Sequence, residues 1–328
     1  MDLLPVGSGN LNVAAASAPP AGDFWAITSY FNPVRYRHRL SNYRTFRRHL
    51  NMPLIAVELT YADDFELQDD DADVLVRLRG GAMLWQKERL LDRALRELPE
   101  ECRKVALLDC DIIFRADQWT ESASRLLDEF PLIQLFKHVH YLPAHWNPSC
   151  PTDECEFSRP SCAYAMSSGV PAADCLAHNV DSRITTASTG HAWAVRRELL
   201  DRHGYYDACI VGGGDRAVIS GALGCWERLM ERHCMSEPQR QHYLAWAESF
   251  YGSVCAETSF IEGDILHLWH GDISLRAGRT RHEGLQRFCF DPFEDIAILE
   301  NGSWSWNTDK PEMHNYVRGY FSSRREDG

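Results

Sequence analysis

Asp109 and Asp111 close the apolar run Val105-Ala106-Leu107-Leu108 and are separated by Cys110 alone. Strand alternation sends adjacent side chains to opposite faces, so two carboxylates two positions apart share one face. Such a pair at the carboxyl end of a buried strand suits a hard divalent cation, and a cation held there can clamp a diphosphate. A short acidic pair is common, and only the apolar run before it argues for a site over a polar strand end. Downstream, Gly212-Gly213-Gly214-Asp215 places a carboxylate after three glycines, where backbone can approach a ligand and Asp215 can take a proton from an attacking hydroxyl. Its plainer reading is a helix N-cap. In Ile265-Leu266-His267-Leu268-Trp269-His270-Gly271, a histidine at the strand end can complete a metal's coordination. An extended strand would point His267 and His270 in opposite directions, so His270, beside the terminating glycine, is the expected ligand.

These residues need elements to hold them. Phe24 to Tyr30 is β-branched and aromatic and breaks at Asn32-Pro33, which reads as a first strand. A helical spacing follows from Tyr36 to Leu50, then a strand over Leu54 to Leu59 and a short edge strand over Val74 to Leu78. Leu84, Lys87, Leu91, Ala94, Leu95 and Leu98 fall at helical intervals before Pro99. Strands are expected at Lys104 to Leu108, Leu132 to Phe136, His191 to Val195 and Ile265 to Trp269, with helices at Trp119 to Phe130, Arg196 to Gly204 and Cys225 to Phe250. Alternating strands and helices predict an α/β fold, doubly wound, with a mostly parallel central sheet flanked by helices. Residues 137–182 lose periodicity and read as an irregular inserted loop region that contacts the acceptor.

With 328 residues and 45% hydrophobic content, the chain can bury a large core. A net charge of −13 excludes a global field that attracts nucleic acid or an anionic membrane. The stretch from Arg35 to Arg48 is basic, and reads as a solvated helix face more readily than as a nucleic-acid groove. No apolar run is long enough to span a bilayer, and the first 22 residues lack a signal peptide's pattern; they read as a flexible Gly/Ala/Ser/Pro tail. Eleven cysteines then suggest free thiols and a soluble, cytoplasmic protein. A zinc site from Cys150, Cys155, Cys162 and Cys175 is the alternative use of some of them, although their spacing does not match common zinc modules.

The three constellations occur in the order and at roughly the spacing found in GT-A glycosyltransferases, and from Phe24 to about Asp272 the chain resembles that superfamily. The stretch Gly190 to Asp215 is similar to the galactosyltransferase pattern, with Tyr205-Tyr206-Asp207 at its turn; Arg216 stands where the family carries a second acid. The His267 to Asp272 segment, followed by Arg276, Arg279 and Arg281, is similar to bacterial and phage members. The resemblance implies a GT-A domain over 23–290, with a nucleotide-sugar half at 23–136, an acceptor half at 183–290 and a C-terminal extension at 291–328. It implies that Thr28 and Tyr30 border the nucleotide, that Asp109 and Asp111 bind Mn2+ or Mg2+ with His270, and that Arg276, or else Arg279 or Arg281, pairs with the diphosphate. The implied reaction moves a sugar from a nucleotide-sugar, commonly a UDP-sugar, to an acceptor hydroxyl, with Asp215 as base and inversion at the anomeric carbon, or with retention if Asp215 lies beneath the sugar and touches no acceptor oxygen. The acceptor is a glycan or small molecule, or a modified DNA base if the chain is phage-encoded. A haloacid dehalogenase-like phosphatase, whose signature also follows an apolar strand with Asp-x-Asp, and an inactive binding module are the competing readings.

Overall fold

The computed structural model describes residues 4–5, 22–149, 154–176 and 187–328. The tail expected at 1–22 lies mostly outside the described residues; Leu4–Pro5 pairs with Glu154–Cys155. The strands that position the site are, in chain order, β1 (Phe24–Phe31), β2 (Leu54–Thr60), β3 (Val74–Arg79), β4 (Lys104–Leu108), β5 (Ile112–Phe114), β6 (Leu132–Gln134), β7 (His138–Tyr141), β8 (Phe157–Pro160), β9 (Ala192–Arg196), β10 (Thr258–Phe260) and β11 (Asp264–His267). The helices used below are α1 (Arg37–His49), α2 (Lys87–Leu95), α3 (Trp119–Glu129), α4 (Gly214–Ala222), α5 (Glu237–Val254), α6 (Thr280–Gln286) and α7 (Pro311–Ser323).

The central sheet has the order β10-β6-β9-β4-β1-β2-β3. β9 runs antiparallel to both neighbours, and every other pairing is parallel, as the expected mostly parallel sheet requires. Both faces are covered. Ile27 and Phe31 of β1 pack with Leu90, Leu91 and Ala94 of α2 on one side. Ala26 and Tyr30 pack with Tyr43 and Phe46 of α1 and with Trp119 and Leu127 of α3 on the other. This two-sided burial explains why β2 reads as a continuous apolar run rather than an alternating one.

A second sheet, β8-β7-β11-β5, stands at the carboxyl edge of the first. The chain leaves the central sheet after Leu108, turns through Asp109-Cys110-Asp111 and enters β5. The region expected to be an irregular insertion supplies two strands of this sheet, β7 and β8, and a short helix at Cys162–Ser167. Its period escaped notice because Val139 and Tyr141 are buried while the intervening positions are histidines, which blur the alternation. Residues 177–182 lie outside the described residues. The helix expected over Cys225 to Phe250 is two, Trp226–Arg232 and α5, parted where Ser236 caps α5 by accepting from the Gln239 N–H with Pro238 in its first turn.

Candidate functional site

A cavity of about 820 Å3 opens where the carboxyl ends of β1 and β4 meet the second sheet, lined by Ser29, Phe31 and Leu108 among others. Asp111 enters it from the β4–β5 turn. β11 ends at His267, and the Leu268 N–H donates to the Asp111 carbonyl, so residues 268–270 bend instead of continuing the strand. That bend overturns the expectation that His267 and His270 diverge. His270 Nε2 lies 3.0 Å and His267 Nε2 3.9 Å from the Asp111 carboxylate, and ligand atoms of all three lie within 4.8 Å of one another. The residues fit a cation, because Asp111 Oδ1 is buried with no hydrogen-bond partner. Burial opposes ionisation of Asp111, but His267 and His270 outweigh it and hold the carboxyl well below its ordinary range. Burial keeps His267 neutral, leaving the protonation state that metal ligation requires.

Asp109 is placed differently. Its Oδ1 lies 2.5 Å from Lys87 Nζ, and the same ammonium reaches the two oxygens of Asp215 at 2.7 and 2.9 Å. Lys87 begins α2 and Asp215 sits in the first turn of α4, so the ammonium ties two helices to the strand end. Asp109 therefore stands outside the Asp111, His267 and His270 group, with a lysine where a metal was expected. His191 Nδ1 is 3.7 Å from Asp109, and His191 Nε2 is 3.0 Å from the Tyr141 hydroxyl; burial pushes this imidazole down to about 4. Gly190 leaves room for Asp215, whose Oδ2 would lie 3.0 Å from an added Cβ.

Behind His270 the C-terminal segment after α7 returns. Glu326, buried, lies 3.6 Å from His270 Nδ1 and accepts from Arg39 Nε at 2.6 Å and Arg324 Nε at 2.5 Å. Asp327 accepts from the backbone N–H groups of Arg37 and His38, capping α1. Arg276 Nη2 is 2.9 Å from His270 Nε2 and lines the cavity.

Thr28 and Tyr30 are not brought to this cavity. Thr28 donates to the Leu108 carbonyl at 2.7 Å, and the Tyr30 hydroxyl donates to Glu66 on the opposite face of the sheet. Alternation along β1 presents Ser29 and Phe31 instead. The basic stretch near the N-terminus is largely paired off, with Arg35, Arg39, Arg44 and Arg47 meeting Asp64, Glu326, Asp71 and Asp73. Among the described residues no metal-type cluster includes Cys155, Cys162 or Cys175, and Cys150 lies outside them. Among the described residues no helix is long and apolar enough to cross a membrane.

Sequence reasoning passed over Lys87, whose signal was present: a lysine at a buried-face position of an otherwise apolar helical spacing. It also passed over His267 as a joint ligand and over Glu326, which nothing local distinguishes. The cavity walls carry nine Lys and Arg side chains against four carboxylates, a strongly positive pocket in an acidic chain.

No protein-family model matches the chain, and no curated protein matches it. Solved structures similar to it include glucosyl-3-phosphoglycerate synthase from Mycobacterium tuberculosis, at 12% identity over 88% of each chain with a TM-score of 0.41. The catalytic domain of Drosophila β1,4-galactosyltransferase 7 aligns at 10% identity over 90% of this chain and 99% of that one, with a TM-score of 0.36. 4-Diphosphocytidyl-2C-methyl-D-erythritol synthase from Anaerococcus prevotii aligns at 10% identity over 73% and 88%, with a TM-score of 0.32. All three TM-scores lie below 0.5, so the chemistry rests on the site itself.

Proposed function

We propose that the chain is a metal-dependent glycosyltransferase that moves a sugar from a nucleotide-sugar to an acceptor hydroxyl. One observation carries the reading: an Asp111, His267 and His270 ligand group opens into an electropositive cavity at the carboxyl edge of a mostly parallel sheet, with the Asp215 carboxylate on the same cavity's wall. Asp111, His267 and His270 would hold a divalent cation, and two imidazoles with one carboxylate suit Mn2+ better than Mg2+. When bound, that cation supplies positive charge to the departing nucleoside diphosphate. Arg276, beside His270, pairs with the same diphosphate. Asp215 accepts the acceptor's hydroxyl proton, which gives inversion, and Lys87 positions it by gripping both of its oxygens. Asp109 acts through Lys87 rather than as a ligand.

Titration calorimetry with Mn2+ and a panel of nucleotide-sugars tests this. Metal-dependent binding of one donor, weakened at least about tenfold by Asp111→Ala or His267→Ala, is expected. Lack of any donor binding with Mn2+ present would sink the reading. The same donor set also holds Fe(II) in oxygenases. Arginine-rich walls suit phosphate rather than dioxygen, and Fe(II)-dependent oxygen uptake would reverse that preference.

A further inference from the structure

Away from the ligand group, the cavity wall is built from guanidinium groups that no carboxylate answers. Arg216 follows Asp215 on α4, Arg232 ends the helix Trp226–Arg232, and Arg281 lies on α6. All three line the cavity, and among the described residues none makes an ion pair. Arg216 donates to the Leu176 carbonyl and Arg281 to the Tyr320 hydroxyl, neutral groups in both cases. Burial and the neighbouring charges of Arg232, Arg281 and Arg159 bring Arg216 down to about 9, and burial with Arg281 brings Arg232 down to about 10. Two stacked histidines, His233 and His282, complete the wall, kept neutral by burial and by these same arginines. His233 packs on Gly213, which has φ +100° and where an added Cβ would fall 2.8 Å from the ring.

Holding like charges together costs stability unless an anion arrives to meet them. The donor does not meet this demand. Its diphosphate is a dianion that Arg276 and the cation on Asp111 would already neutralise, whereas Arg216 is the chain neighbour of the proposed base. We infer that the acceptor is itself an anion, a molecule bearing a phosphomonoester that Arg216, Arg232 and Arg281 bind on the Asp215 side of the cavity. This rests on the glycosyltransferase reading for the word acceptor. A phosphomonoester offers about −1.5 to −2 charge and three oxygens, which match three guanidinium groups better than a carboxylate does.

Inorganic phosphate, titrated at constant ionic strength into the full chain with and without Mn2+ and UDP, tests the inference. Phosphate is expected to bind the UDP-loaded protein as well as the free protein, and Arg232→Gln or Arg216→Gln is expected to weaken it roughly 10- to 100-fold, the loss of one charge-assisted hydrogen bond. UDP binding should survive both substitutions, and Asp111→Ala should do the reverse, losing UDP and keeping phosphate. The unliganded Arg232→Gln protein should melt no lower than the parent, because a repulsive charge has gone; a variant that fails to fold would lose UDP too. Phosphate that competes with UDP, or that binds Arg232→Gln unchanged, would overturn the inference. Phosphate binding without any UDP binding would overturn the transferase reading, and the acceptor assignment with it, while locating the anion site.

Discussion

Lys87→Met removes the ammonium that joins Asp109 to Asp215. The lysine side chain is 12% exposed and each carboxylate 24%, so all three groups are largely withdrawn from water. Deleting one partner of a buried pair costs about 3–5 kcal/mol, since the charge left behind has lost its solvent and its counter-ion. Partial exposure of the two acids places the expected loss near the low end, about 3 kcal/mol. Unfolding entropy near 2.1 cal/mol/K per residue gives about 0.7 kcal/mol/K for a chain of this length, so the melting temperature should drop by about 4 °C. Urea unfolding at pH 7 measures the first number and calorimetry the second. The deficit should shrink on acidification. Burial already raises the Asp109 carboxyl, with Lys87 opposing, so without the lysine it rises further and the native state takes up a proton at higher pH. Lys87→Met/Asp109→Asn should recover part of the loss. A deficit under about 1 kcal/mol, or one that does not change with pH, would show that the bridge does not hold the two helices to the strand end.

Glu88 is buried with both carboxylate oxygens unpartnered, and burial, helped by Asp215 and opposed by Lys87, lifts it from 4.5 to about 8. The native state then binds the extra proton, so stability should fall as pH rises from 4.5 to 8, by up to about 1.4 kcal/mol per pH unit; denaturant titrations should show Glu88→Gln losing that slope. Glu326 is the opposite case, held well below its ordinary value because Arg39 and Arg324 outweigh its burial. Its contribution is present above the usual carboxylate range and lost as pH falls through the depressed value, so Glu326→Gln should cost about 3 kcal/mol at pH 7 and flatten the acid limb followed by circular dichroism. Gly271 has φ +87°, and an added Cβ would fall 2.9 Å from the Arg324 carbonyl. Gly271→Ala should cost about 1–3 kcal/mol in urea unfolding and weaken Mn2+ binding measured by calorimetry, since it shifts the backbone beside His270.

Much of the scaffold was legible because it is local. β1, β2, β4, α2 and α3 follow from runs of branched and apolar residues and from three- and four-residue spacing; β1 stops before Asn32-Pro33, β2 starts after Pro53 and α3 ends just before Pro131. β7 was missed because histidine at alternate positions reads as neither core nor surface, and the break before α5 because helix-forming residues run on both sides of it and Pro238 belongs to the first turn of α5 rather than ending Trp226–Arg232. Asp111, Asp215 and His270 were recognisable from residue type beside a strand end or a glycine run. Thr28 and Tyr30 were not separable from Ser29 and Phe31, since alternation says that they differ in face and not which face meets the cavity.

By itself the sequence determined an α/β chain with carboxylates and a histidine at strand ends, because hydrophobic period and chain-breaking residues act over a few neighbours. Only the tertiary structure decided that Asp109 meets Lys87 while Asp111 meets two histidines, that a distant Glu326 backs His270, and that three arginines from separate helices share one wall. Those pairings join residues far apart in sequence, and the turns and packing that bring charges together leave no periodic trace in the chain that makes them.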